Sequence, residues 1–173
     1  VSKGITSQIT GARADLIIAD DVESLNNSAT QMMRDKLSEG IKEFDAVLKP
    51  NGNILFLGTP QTESSIYAAL PERGFKTRIW PARYPKAGQL KGYGDLISPK
   101  IRDELKEDPE IKGQPTDPQR FDAEDLMERE ASYGRTGFSL QFMLDPSLSD
   151  FDRYPLKLSD LVVMSLNPRE GPE

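Results

Sequence analysis

Cysteine and histidine are both absent from the 173 residues of this chain. Without cysteine there are no disulfide bonds, no thiolate nucleophile and no cysteine-ligated metal. Without histidine the chain lacks the commonest general base, the serine–histidine triad and most kinds of zinc site. Any chemistry must therefore use carboxylates, hydroxyls, lysine, arginine or a bound ion.

Long hydrophobic runs and an excess of positive charge are missing as well. No apolar stretch approaches the ~20 residues of a membrane-spanning helix, and the N-terminus is not a signal peptide, so no membrane association is expected. Lysine and arginine number 22 against 28 aspartates and glutamates, which gives a net charge of −6. This balance argues against a protein that grips nucleic acid by bulk charge, although a local basic face is compatible with it.

Three short apolar runs in the first 82 residues predict strands. They are "ADLIIA" (14–19), "ILFLG" (54–58) and "GFKTRIWPA" (74–82). The first two read as strands buried on both faces, as in a parallel sheet. Strands that alternate with helices and short links predict an α/β fold with right-handed crossovers.

A helix is predicted between the first two strands, because apolar side chains recur there at helical spacing. The members of this stripe are Met33, Leu37, Ile41, Phe44 and Leu48. Asn27 or Ser28 is the predicted N-cap, and "KPNGN" (49–53) is predicted to stop the helix. A second, short helix is predicted after Thr62 as its cap.

The character of the sequence changes after residue 82. Residues 83–150 contain many prolines and predict a helical and irregular subdomain, with a charged helix near 99–108 and a helix over 122–134 that stops at Gly134. Residues 151–173 read as a linker. The predicted organisation is therefore 1–82, 83–150 and 151–173.

The first strand ends in carboxylates, in the stretch "LIIADDVES" (16–24). In open α/β sheets, ligands bind beyond the C-terminal ends of the strands. Asp20 and Asp21 would repel each other there unless a cation such as Mg²⁺ relieved them. An apolar run followed by two acids is the Walker B arrangement of nucleotide hydrolases, but the motif is weak alone, and the two aspartates could instead only solvate a loop.

The second strand leads to "GTPQ" (58–61), which would place Thr59 and Gln61 beside the carboxylates. A hydroxyl and an amide at this edge could sense a γ-phosphate. A plain turn with Pro60 at its second position is the alternative.

The sequence resembles the large terminase subunit of short-tailed bacteriophages, the DNA-packaging ATPase also called DNA maturase B. The resemblance rests on "GITSQITGARADLIIADDVESLNNSATQMMRDKL", "LFLGTPQTESSIY" and "IWPARYP", and it continues through "YGRTGFSLQFMLDPSLSD". It implies a RecA-like ATPase of the P-loop NTPase type, followed in the family by a nuclease domain. ATP and Mg²⁺ are the implied cofactors.

The resemblance also implies roles for individual residues. Asp20 would be the Walker B aspartate that holds Mg²⁺, with Asp21 beside it in place of the catalytic glutamate. Glu23 is a second candidate for the hydrolytic carboxylate. Thr59 would belong to the motif that couples hydrolysis to movement, and Arg13 could face phosphate or form a simple loop salt bridge.

One feature of the family is missing, because no G-x-x-x-x-G-K-[ST] sequence occurs. Such a loop supplies the backbone amides and the lysine that hold the phosphates. The chain therefore reads as an internal fragment that is inactive alone, and Val1 in place of methionine agrees with this. We expect self-association through an uncovered strand edge, or partial disorder of residues 1–13.

The resemblance further implies partners and a location. These are double-stranded DNA, the portal protein, the small terminase subunit and further copies of the same chain, in the host cell cytoplasm. Two other interpretations stay open: a fragment of a DEAD-like helicase, with "DDVE" as its box, and a non-enzymatic α/β interaction domain.

Basic residues around the third predicted strand allow a DNA contact, and these are Arg73, Lys76, Arg78 and Arg83. An ordinary solvated face with Trp80 in the core is the favoured interpretation.

Overall fold

The computed structural model describes residues 4–5 and 11–148, and this part of the chain has an α/β fold. Two parallel strands, β1 (Ala14–Asp20) and β2 (Leu48–Leu57), form the sheet. The helices α1 to α6 span Leu25–Ser28, Gln31–Val47, Ile66–Ala69, Ala87–Tyr93, Pro99–Glu107 and Ala123–Gln141. Short 3₁₀ turns span Leu70–Arg73, Gly94–Leu96 and Pro109–Ile111. The predicted α/β class and the first two predicted strands are confirmed.

Helix α2 covers one face of the sheet. Its side chains Leu37, Ile41 and Phe44 are buried in one core with Ala19 of β1, as the apolar stripe predicted. Met33 is 40% exposed and lies outside this core. The predicted caps at residues 27 and 28 are wrong, because the separate short helix α1 occupies them, and the hydroxyl of Thr30 accepts from the Met33 N–H at 3.3 Å instead.

Strand β2 begins directly after α2. Ala14 pairs with Leu48 and Leu16 pairs with Asn53, so two steps along β1 correspond to five along β2. Helix α2 ends at Val47, directly before the "KPNGN" segment that was predicted to stop it. The segment itself belongs to β2 and contains the irregularity in the register, with Asn51 at a φ of 65°. From Leu16 onward the register is regular up to the pair Asp20–Leu57.

The other face of the sheet is exposed, so the prediction that both strands are buried on both faces is wrong for this chain. Leu16 and Ile18 of β1 are 55% and 57% exposed, and Leu55 and Leu57 of β2 are 47% and 46% exposed. Side chains alternate between the two faces of a strand, and within the described residues α2 provides a helical layer for the opposite face only.

The predicted third strand over residues 74–82 is also wrong. Only an isolated bridge between Ile79 and Ile97 forms there, through the Ile79 N–H to Leu96 carbonyl bond of 2.8 Å and the Ser98 N–H to Ile79 carbonyl bond of 2.9 Å. The backbone of this segment pairs with the turn at 94–98, and among the described residues it is not a strand of the sheet that β1 and β2 form. The apolar residues at 74–82 correctly indicated an extended segment, but they did not indicate which backbone it pairs with.

The described part beyond residue 82 is helical and irregular. Its buried side chains form two clusters, one around Ile97 and Ile101 and the other around Leu126 and Phe138. Within α6 the backbone of Gly134 is not helical (φ 67°, ψ 171°), so the predicted glycine stop appears as a kink. The boundary at residue 82 stays a prediction.

Trp80 is 45% exposed, so its predicted place in the core is wrong. The ammonium of Lys100 lies 5.5 Å from its ring centroid. The short helix predicted after Thr62 exists as α3, but the hydroxyl of Ser65 caps it, since it accepts from the Tyr67 N–H at 3.2 Å.

Two predictions concern residues outside the described ranges. They are the linker at 151–173 and, for the most part, the partial disorder of residues 1–13. None of the helices in the described part has the length and apolarity needed to cross a bilayer.

Candidate functional site

The segments that follow β1 and β2 meet at the C-terminal edge of the sheet. The N–H of Asp21 donates to the carbonyl of Leu57 at 2.9 Å, which joins the two strand ends. Neighbouring parallel strands end at the same edge of a sheet. The polar residues that follow the two strands therefore lie close together. This is the edge at which the sequence predicted a site.

A cavity of about 440 Å³ lies between these segments. Four of the six predicted site residues line it: Asp21 and Glu23 from the first segment, and Thr59 and Gln61 from the second. Ser24, Leu25, Asn26 and Gln141 complete the lining. Gln141 is the last residue of α6 and was missed, because no sequence signal links a residue 120 positions away from Asp21 to this edge.

Asp20 and Arg13 are not among the residues that line the cavity. Asp20 is the last residue of β1 and is exposed. The exposed guanidinium of Arg13 donates to the carbonyl of Ala12 at 2.8 Å, and among the described residues it forms no salt bridge. Its contact with phosphate or a neighbouring subunit stays a prediction. Since no lysine or arginine among the described residues lines the cavity, these residues would offer a bound phosphate no positive charge there.

Asp21 adopts a backbone conformation that is rare for a residue with a side chain, with a φ of 44°. Aspartate tolerates this left-handed region better than most residues do. Strained residues of this kind occur often at functional sites, where the surrounding structure holds them. Here the bond to Leu57 fixes the Asp21 backbone at the rim of the cavity.

Glu23 differs from its two acidic neighbours because it is buried, with only 2% of its surface exposed. One carboxylate oxygen accepts from the Gln61 N–H at 2.8 Å. The other accepts from the Ser65 hydroxyl at 2.9 Å and from the Ile66 N–H at 2.7 Å. Charge-assisted bonds of these lengths are strong, and both carboxylate oxygens are engaged.

Among the described residues, no group of three or more acidic side chains is arranged to hold a metal ion. Mg²⁺ commonly binds to one or two carboxylates and completes its shell with water and substrate phosphates. Asp20 and Asp21 are adjacent in the chain and exposed at the sheet edge, so they fit this limited kind of contribution. Their part in metal binding stays a prediction.

A larger cavity of about 830 Å³ borders β2 and residues 75–79. Its lining is mainly apolar and includes Ile54, Phe56 and Phe75. Neither Asp21 nor Glu23 lines it. The smaller cavity is the candidate site, since it brings together the carboxylates and the polar residues of the second loop.

The Tyr67 hydroxyl lies between the two loops. It is 3.4 Å from the Glu23 N–H, which donates to it, and 3.4 Å from the Leu57 carbonyl, which accepts from it. Gly58 leaves the space for it, because a Cβ at that position would overlap the hydroxyl. Burial, reinforced by the charges of Glu23 and Asp21, raises the pKa of Tyr67 to about 12.

This shift predicts a loss of stability in alkali. An unfolded tyrosine loses its proton near pH 10. The pKa of Tyr67 is higher in the folded state than in the unfolded state. The protonated Tyr67 hydroxyl therefore contributes fully to the free energy of unfolding below about pH 10, and this contribution is lost as the pH rises toward about 12. We expect the urea midpoint to fall over this window, and to fall less steeply in Tyr67→Phe. A residual slope should remain, because burial also raises the pKa of Tyr84 to about 12. An identical slope in both proteins would contradict the buried position of the Tyr67 hydroxyl.

No family model matches the chain. Its sequence is 52% identical, over 176 aligned positions, to the protein named "Terminase, large subunit" of Enterobacteria phage T3. The match covers 99% of this chain and 30% of that relative, so the chain spans less than a third of the relative's length. The chain is thus related over nearly its whole length to a segment of a phage terminase large subunit, which confirms the resemblance predicted from its motifs.

Proposed function

We propose that this chain is part of the ATPase of a phage DNA-packaging motor, which couples ATP hydrolysis to the movement of DNA into the procapsid. The observation that carries the proposal is the meeting of Asp21, Glu23, Thr59 and Gln61 around one cavity. A hydrolytic site needs acids for metal and water beside polar groups that respond to the γ-phosphate. The relatedness to a terminase large subunit supports this reading of the site.

In the proposed ATPase, β1 and β2 are neighbouring strands of a RecA-like sheet. Asp20 would hold Mg²⁺, and Asp21 would orient or deprotonate the attacking water. When bound, Mg²⁺ offsets the negative charge of the phosphates during transfer. Thr59 and Gln61 respond to the loss of the γ-phosphate and pass it to the rest of the motor.

The partners follow from the same proposal. They are double-stranded DNA, the portal protein, the small terminase subunit and other copies of the chain, with the motor acting in the host cytoplasm. A nuclease activity belongs to the proposed whole protein. The helicase interpretation is less favoured, because the similarity to the terminase extends through the helical residues beyond 82.

The first test is Mg-ATP binding and hydrolysis by the 173-residue chain. We expect neither, because no cation from the described part of the chain lines the cavity and the sequence has no P-loop to hold the phosphates. A longer version that includes a P-loop should bind and hydrolyse ATP, and DNA should accelerate the reaction. Turnover by the 173-residue chain that Asp20→Asn abolishes would contradict the expectation of inactivity. If the longer protein showed neither magnesium-dependent binding nor turnover, a non-enzymatic domain would be the better interpretation.

A further inference from the structure

We propose that Glu23 is a positioning residue that joins the segment after β1 to the segment after β2, so that the two move as one unit. This inference deepens the proposed ATPase function and rests on it for the meaning of the movement. Glu23 was predicted as a second candidate for activating water. Its surroundings favour a different role.

The geometry of the carboxylate carries the first step. Both oxygens of Glu23 accept bonds from the main chain or side chain of residues 61–66, at 2.7 to 2.9 Å. A carboxylate that activates water must have an oxygen lone pair directed at that water. Since Glu23 is 2% exposed and accepts three bonds from protein groups, its oxygens are directed into the protein.

The charge of Glu23 has no ion-pair partner among the described residues. Burying an unpaired charge is costly unless hydrogen bonds compensate it. The three donors on residues 61–66 therefore have to stay in place, because displacing them would leave the carboxylate buried without hydrogen-bond donors. A movement of either segment, the one after β1 or the one after β2, would break these bonds, so the two segments are expected to move together.

The donors lie where a signal from the site would have to pass. Gln61 lines the candidate cavity two residues after Thr59, and its side-chain amide donates to the Thr59 carbonyl at 3.1 Å. Ile66 is the first residue of α3, and its N–H is one that the helix itself cannot satisfy. The carboxylate thus holds the polar loop at one end and the start of a helix at the other.

Tyr67 provides a second, weaker link across the same gap. Its hydroxyl contacts the Glu23 N–H and the Leu57 carbonyl, both at 3.4 Å. A displacement of Asp21 is therefore transmitted through residues 22 and 23 to both ends of the 59–67 segment. The expected consequence is that nucleotide-dependent changes appear together in the two loops.

The first experiment is amide hydrogen exchange on the 173-residue chain and its Glu23→Gln variant. Glutamine keeps the size of the side chain but replaces one acceptor with a donor that faces donors. We expect exchange at Gln61 and Ile66 to become about tenfold faster, the factor that accompanies the loss of one ordinary hydrogen bond. Glu72→Gln is the matched control, since this nearby glutamate is exposed. Unchanged exchange in Glu23→Gln would overturn the proposal.

If Glu23→Gln fails to fold, Ser65→Ala gives a related test with a smaller change. It removes the hydroxyl that donates to Glu23 and that also caps α3, so the exchange is read at Gln61, which lies outside α3 and donates to the other carboxylate oxygen. Faster exchange at Gln61 would support the junction, and an exchange rate equal to that of the parent chain would count against it.

The second experiment separates positioning from a merely structural role. In the longer protein with a P-loop, Mg-ATP should change the exchange of both loops, whereas in Glu23→Gln only the loop at 20–22 should respond. ATP hydrolysis by Glu23→Gln should fall less than hydrolysis by Asp21→Asn, and its acceleration by DNA should be lost.

If Glu23→Gln instead stops hydrolysis as completely as Asp21→Asn does, Glu23 acts on water and the proposal is wrong. Absence of any turnover in the parent protein would contradict the ATPase proposal, while the exchange difference in the short chain would still support the junction.

Discussion

Replacing Asp21 with asparagine is expected to lower ATP hydrolysis about 10²- to 10⁴-fold in a version of the protein that includes a P-loop, because this is the contribution of a positioned general base. The substitution keeps the shape of the side chain and removes its ability to accept a proton. The backbone bond from Asp21 to Leu57 should survive, so the fold of the loop should be retained.

Steady-state hydrolysis and Mg-ATP binding should be measured side by side for this variant. Binding should persist if Asp21 acts on the water and not on the metal.

Asp20→Asn should also abolish hydrolysis, but through weaker magnesium binding. Excess magnesium should therefore restore part of the activity of Asp20→Asn and none of the activity of Asp21→Asn. Asp117→Asn is a suitable control, since this aspartate is exposed in the helical part. Full turnover by Asp21→Asn would move the hydrolytic role to another carboxylate.

Truncation of Phe44 to alanine is expected to cost about 3–5 kcal/mol of the free energy of unfolding, as is usual for a buried phenylalanine. Phe44 is 7% exposed, and its ring lies 6.0 Å from that of Phe56 on β2. Phe56 in turn meets the edge of Phe75 at 5.2 Å. The three rings join helix, sheet and the extended segment that follows, so the cavity left by Phe44 affects all of them.

Urea unfolding of the 173-residue chain measures this effect. Since a domain of this size has a total stability of about 5–15 kcal/mol, the variant should lose a large fraction of it and unfold at a clearly lower urea concentration. Met32→Ala is the matched control, because Met32 lies on the same helix and is 80% exposed. It should change the stability by less than about 0.5 kcal/mol. A loss below about 1 kcal/mol for Phe44→Ala would contradict the packing of α2 on the sheet.

The local patterns of the sequence were sufficient for the strands β1 and β2, for α2 and for the edge at which the site lies. Apolar runs predict strands and a helical apolar stripe predicts a helix, because both patterns follow from the geometry of neighbouring residues. Parallel strands bring their C-terminal ends to the same edge of any sheet, which locates the site. For this reason Asp21, Glu23, Thr59 and Gln61 could be placed around one site before their contacts were known. The resemblance to terminases also rested on sequence alone, and the relative confirms it.

Tertiary structure decided what the sequence left open or misread. The segment at 74–82 has the composition of a strand, but a strand exists only where a partner backbone is available, and here Ile79 pairs with the turn at 94–98. The exposure of Leu16 and Ile18 depends on which layers cover the sheet, which no local pattern records. The separation of Glu23 from Asp21 is of the same kind: both are acids after one strand, and only the donors at 61–66 bury one of them. Sequence fixes the residue types at an edge, whereas long-range contacts determine their burial and hydrogen bonding.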